Sequence, residues 1–188
     1  MADEALDPRP KTASGPRLGR VHDRVLHALA EIDAGAAADK ALANEFRRAR
    51  DLGPKERAQV REEVYGLLRR RRQARDALER GLAACRKDPK LFDPPILLRL
   101  ELLAHLAVEG ASLKDLQLRD RFAARRVPKL FERITTGRLP PAKRGELEAA
   151  AVACSFPTWL LRHLVDAFGL DAATTIAEAL GERAPLTV

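Results

Sequence analysis

The chain has 188 residues, 46% of them apolar and 32% charged, which suits one or two small folded domains and excludes a disordered polyelectrolyte. Its 34 Lys and Arg against 27 Asp and Glu leave a net charge of +7, a balance that favours a polyanionic partner without requiring one. Two distant cysteines, Cys85 and Cys154, stand outside any CxxC pair and exclude a thiolate zinc site or a disulfide framework.

The elements follow in chain order. Residues 1–16, rich in Pro, Asp, Lys and Gly, read as a disordered tail. Residues 17–33 form a first helix with an apolar stripe of Leu18, Val21, Val25, Leu26, Leu29 and Ile32, stopped by Gly35. Arg20 and Arg24 lie on its exposed side, and His22 and His27 have no second ligand nearby. A second helix spans 37–51, with Leu42, Phe46 and Ala49 facing inward. The third begins at Pro54 behind Gly53. It carries Glu56 in its first turn and Arg69 to Arg72 in its last, both suited to the helix dipole. Residues 73–86 continue as a fourth helix after a kink, with Leu78 and Leu82 inside; the pattern leaves open whether 71–75 is helical or a break.

Residues 87–95 carry Asp-Pro-Lys and Asp-Pro-Pro and form a loop. The run 96–108 is apolar on most sides and belongs in the centre of a bundle; it is too short to cross a bilayer and carries Arg99, Glu101 and His105. Gly110 stops it. Ser112 and Asp115 make a capping box for a charged, weakly amphipathic helix at 113–126. A short helix at 127–136 is built around Leu130, Phe131 and Ile134, and 139–141 is a linker. Residues 142–153 are helical. Then Ser155 serves as N-cap, Pro157 enters the first turn and Trp159 anchors an amphipathic pair, with Asp171 capping a last helix at 172–180. The fold class is therefore all-α: a helical bundle at 17–139 and a small helical hairpin at 142–188.

On a wheel of about 100° per residue, Val60, Val64, Leu67 and Leu68 make the apolar stripe of the third helix. Arg57 falls inside that stripe and needs a carboxylate or carbonyl partner. Arg61, Tyr65 and Arg72 share one border. Two arginines around a tyrosine suit RNA, with cations for phosphate and a ring for a base. The other reading is that Tyr65 packs at the core margin and the arginines are solvated.

The stretch 52–69, with Leu52, Pro54, Lys55, Arg57, Ala58, Val60, Glu62, Val64, Tyr65, Gly66, Leu68 and Arg69 in register, resembles the third helix of the RNA-binding domain shared by NusB antitermination factors and the N-terminal part of RsmB/Sun (Fmu)-type rRNA cytosine-C5 methyltransferases. Glu56 stands where that family usually has Asp. The resemblance implies a NusB-like RNA-binding bundle. Its candidate RNA contacts are Arg61, Tyr65, Arg69 and Arg72 on the third helix, with Arg17, Arg20 and Arg24 on the first. The middle departs from the family. A G-x-Y-Q-L pattern is replaced by Leu100 to Leu106, and no F-x-N-A-V-L-R helix is present.

The later order Ser155-x-Pro157-x-Trp159-Leu160, Phe168-Gly169 and Ala184-Pro185-Leu186-Thr187 resembles the linker that joins the bundle to the catalytic part of such methyltransferases. There the catalytic domain binds S-adenosylmethionine and uses two cysteines. The present 188 residues contain no Gly-rich turn after a strand, and neither cysteine sits in a motif of that family. The apolar surroundings of Cys154 raise rather than lower its thiol pKa. So no catalytic, cofactor-binding or metal residue is assigned, and S-adenosylmethionine is expected only in a catalytic domain outside this stretch. Expected partners are RNA, foremost rRNA, and such a domain, with no membrane; few cysteines and no signal sequence suit a reducing cytoplasm. The alternative is a freestanding NusB-like antitermination factor, which leaves 155–188 unexplained. A plain helical scaffold would bind no RNA.

Overall fold

A computed structural model describes residues 18–182. The expected tail at 1–16, Arg17 and the Ala-Pro-Leu-Thr motif lie outside the described residues. Among those described, every regular element is helical: α1 Leu18–Asp33, α2 Ala38–Arg48, α3 Pro54–Ala84, a 3-10 turn Pro89–Leu91, α4 Pro94–Val108, α5 Leu113–Arg119, α6 Arg121–Arg126, α7 Pro128–Thr135, α8 Glu146–Ala153, α9 Thr158–Phe168 and α10 Leu170–Gly181. None of these helices is long and apolar enough to cross a membrane.

The long α3 is the spine, packed against α1, α4, α7 and α8. Pro54 opens it, and the Gly53 amide donates to Glu56 Oε2 at 2.9 Å, so the first-turn carboxylate both caps the helix and meets its dipole. Val60, Val64 and Leu67 are fully buried. The apolar run of α4 lies in the centre, with Leu100 to Ala107 all buried, as its lack of a polar face requires. Close approach of helices depends on two glycines of α3. His105 Nε2 stands 3.2 Å from where a Cβ on Gly66 would be, and a Cβ on Gly81 would overlap Leu130 Cδ1 of α7. One apolar core fills α1–α7, and a second, of Ala151, Leu161, Ala173 and Ala177, fills α8–α10.

Several boundaries differ from the expectation, each for a physical reason. The third and fourth helices are one element, kinked at Arg70 (φ −114°, ψ 20°). The expected helix 113–126 is two, because Asp120 leaves helical geometry and its side chain accepts from the Ala123 amide at 2.9 Å, making it the N-cap of α6. Residues 142–145 are not helical: they follow Pro140-Pro141, and Arg144 is drawn sideways onto Asp76 of α3. Ser155 does not cap its own helix. It adopts φ 54°, and its Oγ accepts the Gln73 amide of α3 at 3.1 Å, just past the kink where a helix leaves amides unpaired. Asp171 lies in the first turn of α10 without capping it; Gly169, at φ 80°, holds the N-cap position. Trp159 is no anchor, being 65% exposed, and Leu161 is the buried residue of α9.

Candidate nucleic-acid interface

Of the seven predicted contacts Arg17 lies outside the described residues, and the other six are held in place mainly by acidic side chains from other elements. Arg20 pairs with the Asp51 carboxylate in the turn before α3. Arg24 Nη1 donates to Glu45 Oε1 at 3.0 Å, and Glu45 is buried in α2. The Tyr65 hydroxyl donates to Asp39 at the start of α2; that bond first, and then burial, push its pKa up. Arg61 has no carboxylate partner among the described residues and lies over the Phe46 ring of α2, 5.8 Å from its centroid. Arg57 covers the same ring at 5.8 Å, and its Nε donates to the Leu52 carbonyl at 3.0 Å, the partner its place in the apolar stripe requires.

Arg20, Arg24, Arg61 and Tyr65 are thus gathered around α2 and its following turn. Arg69 and Arg72 turn elsewhere. Arg69 reaches Glu62 at 3.4 Å on its own helix. The Arg72 guanidinium donates to the Phe156 carbonyl, to Glu148 and, at 2.6 Å, to Thr158 Oγ1, so it fastens the α8–α9 turn to the kink of α3. Glu148 is held below the usual carboxylate range, by Thr158 foremost and then by Arg72. Arg71 is more deeply committed: its Nη2 donates to Asp33 at 2.6 Å and its Nε to Glu101 at 2.7 Å, with Arg75 Nε also on Glu101 at 2.9 Å. The Asp33 carboxyl is lowered by that Arg71 bond, and the Arg71 guanidinium is raised further above its already high value. These ties close α1, α3 and α4 together around a buried carboxylate.

Sequence reasoning missed a different basic surface. On α6, Arg121, Phe122, Arg125 and Arg126 are exposed while Ala123 and Ala124 face the core, and Lys114 and Leu118 of α5 flank them. The Arg126 guanidinium lies 4.7 Å from the Phe122 ring centroid. Among the described residues no carboxylate lies within ion-pair distance of Arg121, Arg125 or Arg126. The signal in the sequence was Arg-Phe-Ala-Ala-Arg-Arg, an aromatic residue between cations at helical spacing; read as part of one helix from 113, it had no face.

The buried titratable groups His22 and Asp120 are enclosed in structural ties. His22 is fully buried, its Nε2 3.4 Å from Asp120 Oδ2 but without hydrogen-bond geometry. Asp120 also accepts from Arg99 at 2.6 Å. Burial alone would raise its carboxyl, yet the His22, Ala123 and Arg99 contacts together hold it well below the usual range. A cleft of about 320 Å³ between the α3 kink and the hairpin is lined by Arg69, Arg70, Gln73, Cys154, Glu178 and Glu182. Burial pushes the Cys154 thiol up, which makes it a poor nucleophile. Among the described residues no group of three His, Cys, Asp or Glu is placed to hold a metal. No family model matches the chain, and neither does any curated protein or solved structure.

Proposed function

We propose that this chain is an RNA-binding module: a NusB-like helical bundle with a linker hairpin, similar to the N-terminal part of the S-adenosylmethionine-dependent 16S rRNA cytosine-C5 methyltransferases. Its task is to hold rRNA so that a catalytic domain outside these residues reaches one cytosine. The observation that carries the reading is a contact between the two stretches the resemblance picks out. The end of the motif helix and the Ser155-x-Pro157-x-Trp159 segment lie more than eighty residues apart, yet they meet through Gln73 to Ser155 and Arg72 to Phe156 and Thr158. A hairpin fastened to the spine helix of the bundle transmits the orientation of RNA held on that bundle to whatever follows it. The net charge of +7 agrees with a polyanionic ligand. A cytoplasmic location accompanies this reading.

The test is fluorescence anisotropy with a labelled rRNA fragment across a salt series. Binding whose log affinity falls linearly with log salt supports the reading, since each neutralised phosphate releases counterions. Absence of binding at about 0.15 M salt leaves only the scaffold.

A further inference from the structure

We infer that α6 and the adjoining end of α5 form a docking platform for single-stranded RNA, with phosphates on Arg121 and Arg125 and one base stacked on Phe122. The inference rests on the RNA-binding reading above and names a surface that reading does not contain.

Three observations carry it. First, the platform is basic and unneutralised. Among the described residues Arg121, Arg125 and Arg126 meet no carboxylate. The two acids of the preceding segment are otherwise engaged: Asp115 accepts from the Ser112 hydroxyl at 2.6 Å, and Asp120 is buried and accepts from Arg99. Elsewhere in the fold most arginines hold an acid, so free guanidinium groups gathered on a single turn are unusual here.

Second, the platform presents an aromatic face. Phe122 is 56% exposed although an apolar ring gains by burial, and the Arg126 guanidinium lies over it at 4.7 Å from the centroid. An arginine stacked on an exposed ring leaves the ring's remaining surface open to a second flat group. A nucleobase fits, being planar and polarisable and attached to the phosphates the neighbouring cations take. A duplex keeps its bases stacked inside and offers the ring nothing, so the ligand is single-stranded.

Third, the platform is rigid. Ala123 and Ala124 are buried against the bundle, and Asp120 caps the helix while fixed by Arg99. Arg121 and Arg125 are four residues apart and so share one side of the helix, as do Phe122 and Arg126. A shallow hollow of about 540 Å³ is lined by these four residues. A membrane surface is a poorer fit, because so short a helix with one exposed ring lacks a broad apolar face.

The test uses the full chain and an unstructured single-stranded RNA of about 12 nucleotides, read by anisotropy, with the same strand in duplex form and an oligoglutamate as competitors. Phe122→Ala is expected to weaken single-strand binding about 5- to 150-fold. Arg121→Glu with Arg125→Glu is expected to weaken it further and to flatten the salt dependence by about 1.4 in log–log slope. Circular dichroism checks folding, and both positions are on the surface. If the unaltered chain binds no RNA, the functional reading fails and this platform with it. If it binds and both variants bind equally well, the platform alone is wrong. Loss in the charge variant with none in Phe122→Ala refutes the stacked base, and competition by oligoglutamate as strong as by RNA refutes the choice of partner.

Discussion

Replacing Arg72 by Ala should loosen the C-terminal hairpin without unfolding the bundle. The side chain makes three hydrogen bonds into the α8–α9 turn, to the Phe156 carbonyl, Glu148 and Thr158. Bonds with a charged partner contribute about 1.5–3 kcal/mol each when buried. Here the guanidinium is 30% exposed and Glu148 43% exposed, so solvent screens the ion pair to about 0.5 kcal/mol and weakens the rest. A total near 2 kcal/mol follows, or about a 30-fold rise in the open fraction of the hairpin. The assay is native-state hydrogen exchange. Amides of α8–α10 should exchange about 30-fold faster, while α1, α3 and α4 keep wild-type protection, because the second core of Ala151, Leu161, Ala173 and Ala177 is separate from the first. Unchanged exchange in the hairpin, or equal acceleration throughout the bundle, would refute the reasoning. The result also bears on function. Arg72→Glu would set a carboxylate against Glu148 and the Phe156 carbonyl, so lost RNA affinity in an Arg61→Glu, Arg72→Glu variant would not by itself identify an RNA contact.

Three further outcomes follow from the packing. Gly81→Ala places a methyl onto fully buried Leu130; overpacking of about 1–3 kcal/mol should outweigh the roughly 1 kcal/mol gained in helix propensity. The loss in urea melts should be smaller in a Leu130→Ala background, and strict additivity would argue against the contact. Arg71→Met should lower the melting temperature more than Glu101→Leu, because it leaves buried Glu101 with only half-exposed Arg75, whereas Arg71 without Glu101 still holds Asp33. The reverse order would show the two partners misassigned. Burial pushes the His105 imidazole below its ordinary pKa, against the opposing pull of Glu109. Below about pH 6.5 the unfolded chain therefore takes up a proton that the native state refuses, and stability declines as pH falls towards the folded value. His105→Gln should flatten that decline by up to about 1.4 kcal/mol per pH unit, measured by urea unfolding between about pH 7.5 and 5.5; parallel curves would refute it.

The helical periodicity made the core legible. Val60, Val64 and Leu67 are buried as their spacing demands, the apolar run in α4 is central, and the arginine inside the α3 stripe finds a carbonyl. What periodicity cannot supply is what stands opposite a polar side chain. Tyr65 and Arg72 share a border on the wheel, yet one meets Asp39 and the other Glu148, residues from distant parts of the chain. The same limit hid the break at Asp120. An Asp inside a charged segment reads as solvated, and only the meeting with Arg99 and His22 makes it a buried cap. Ser155 likewise reads as a local cap because its partner, the amide released at the α3 kink, lies more than eighty residues away.

Charge counting alone could not choose between the two basic segments. Residues 54–72 and 113–135 each carry seven cations and three carboxylates. In the first, Arg69, Arg70, Arg71 and Arg72 each hold a carboxylate and Arg57 a carbonyl. In the second, among the described residues, only Arg119 is within ion-pair distance of one, through Glu63 at 2.6 Å. The difference has a structural cause. The arginines of α3 lie on the spine of the bundle, within reach of acids on α1, α4 and α8. Those of α6 lie on an outer turn with its small residues turned inward, where among the described residues no carboxylate comes within ion-pair distance. Guanidinium groups spent on internal ties stabilise the fold and are poorly available to a ligand, whereas those left unpaired on a rigid turn keep their charge for one. On the proposed RNA-binding reading, the arginines left without an acid, rather than the number of arginines on a helix, mark where a polyanion would be held.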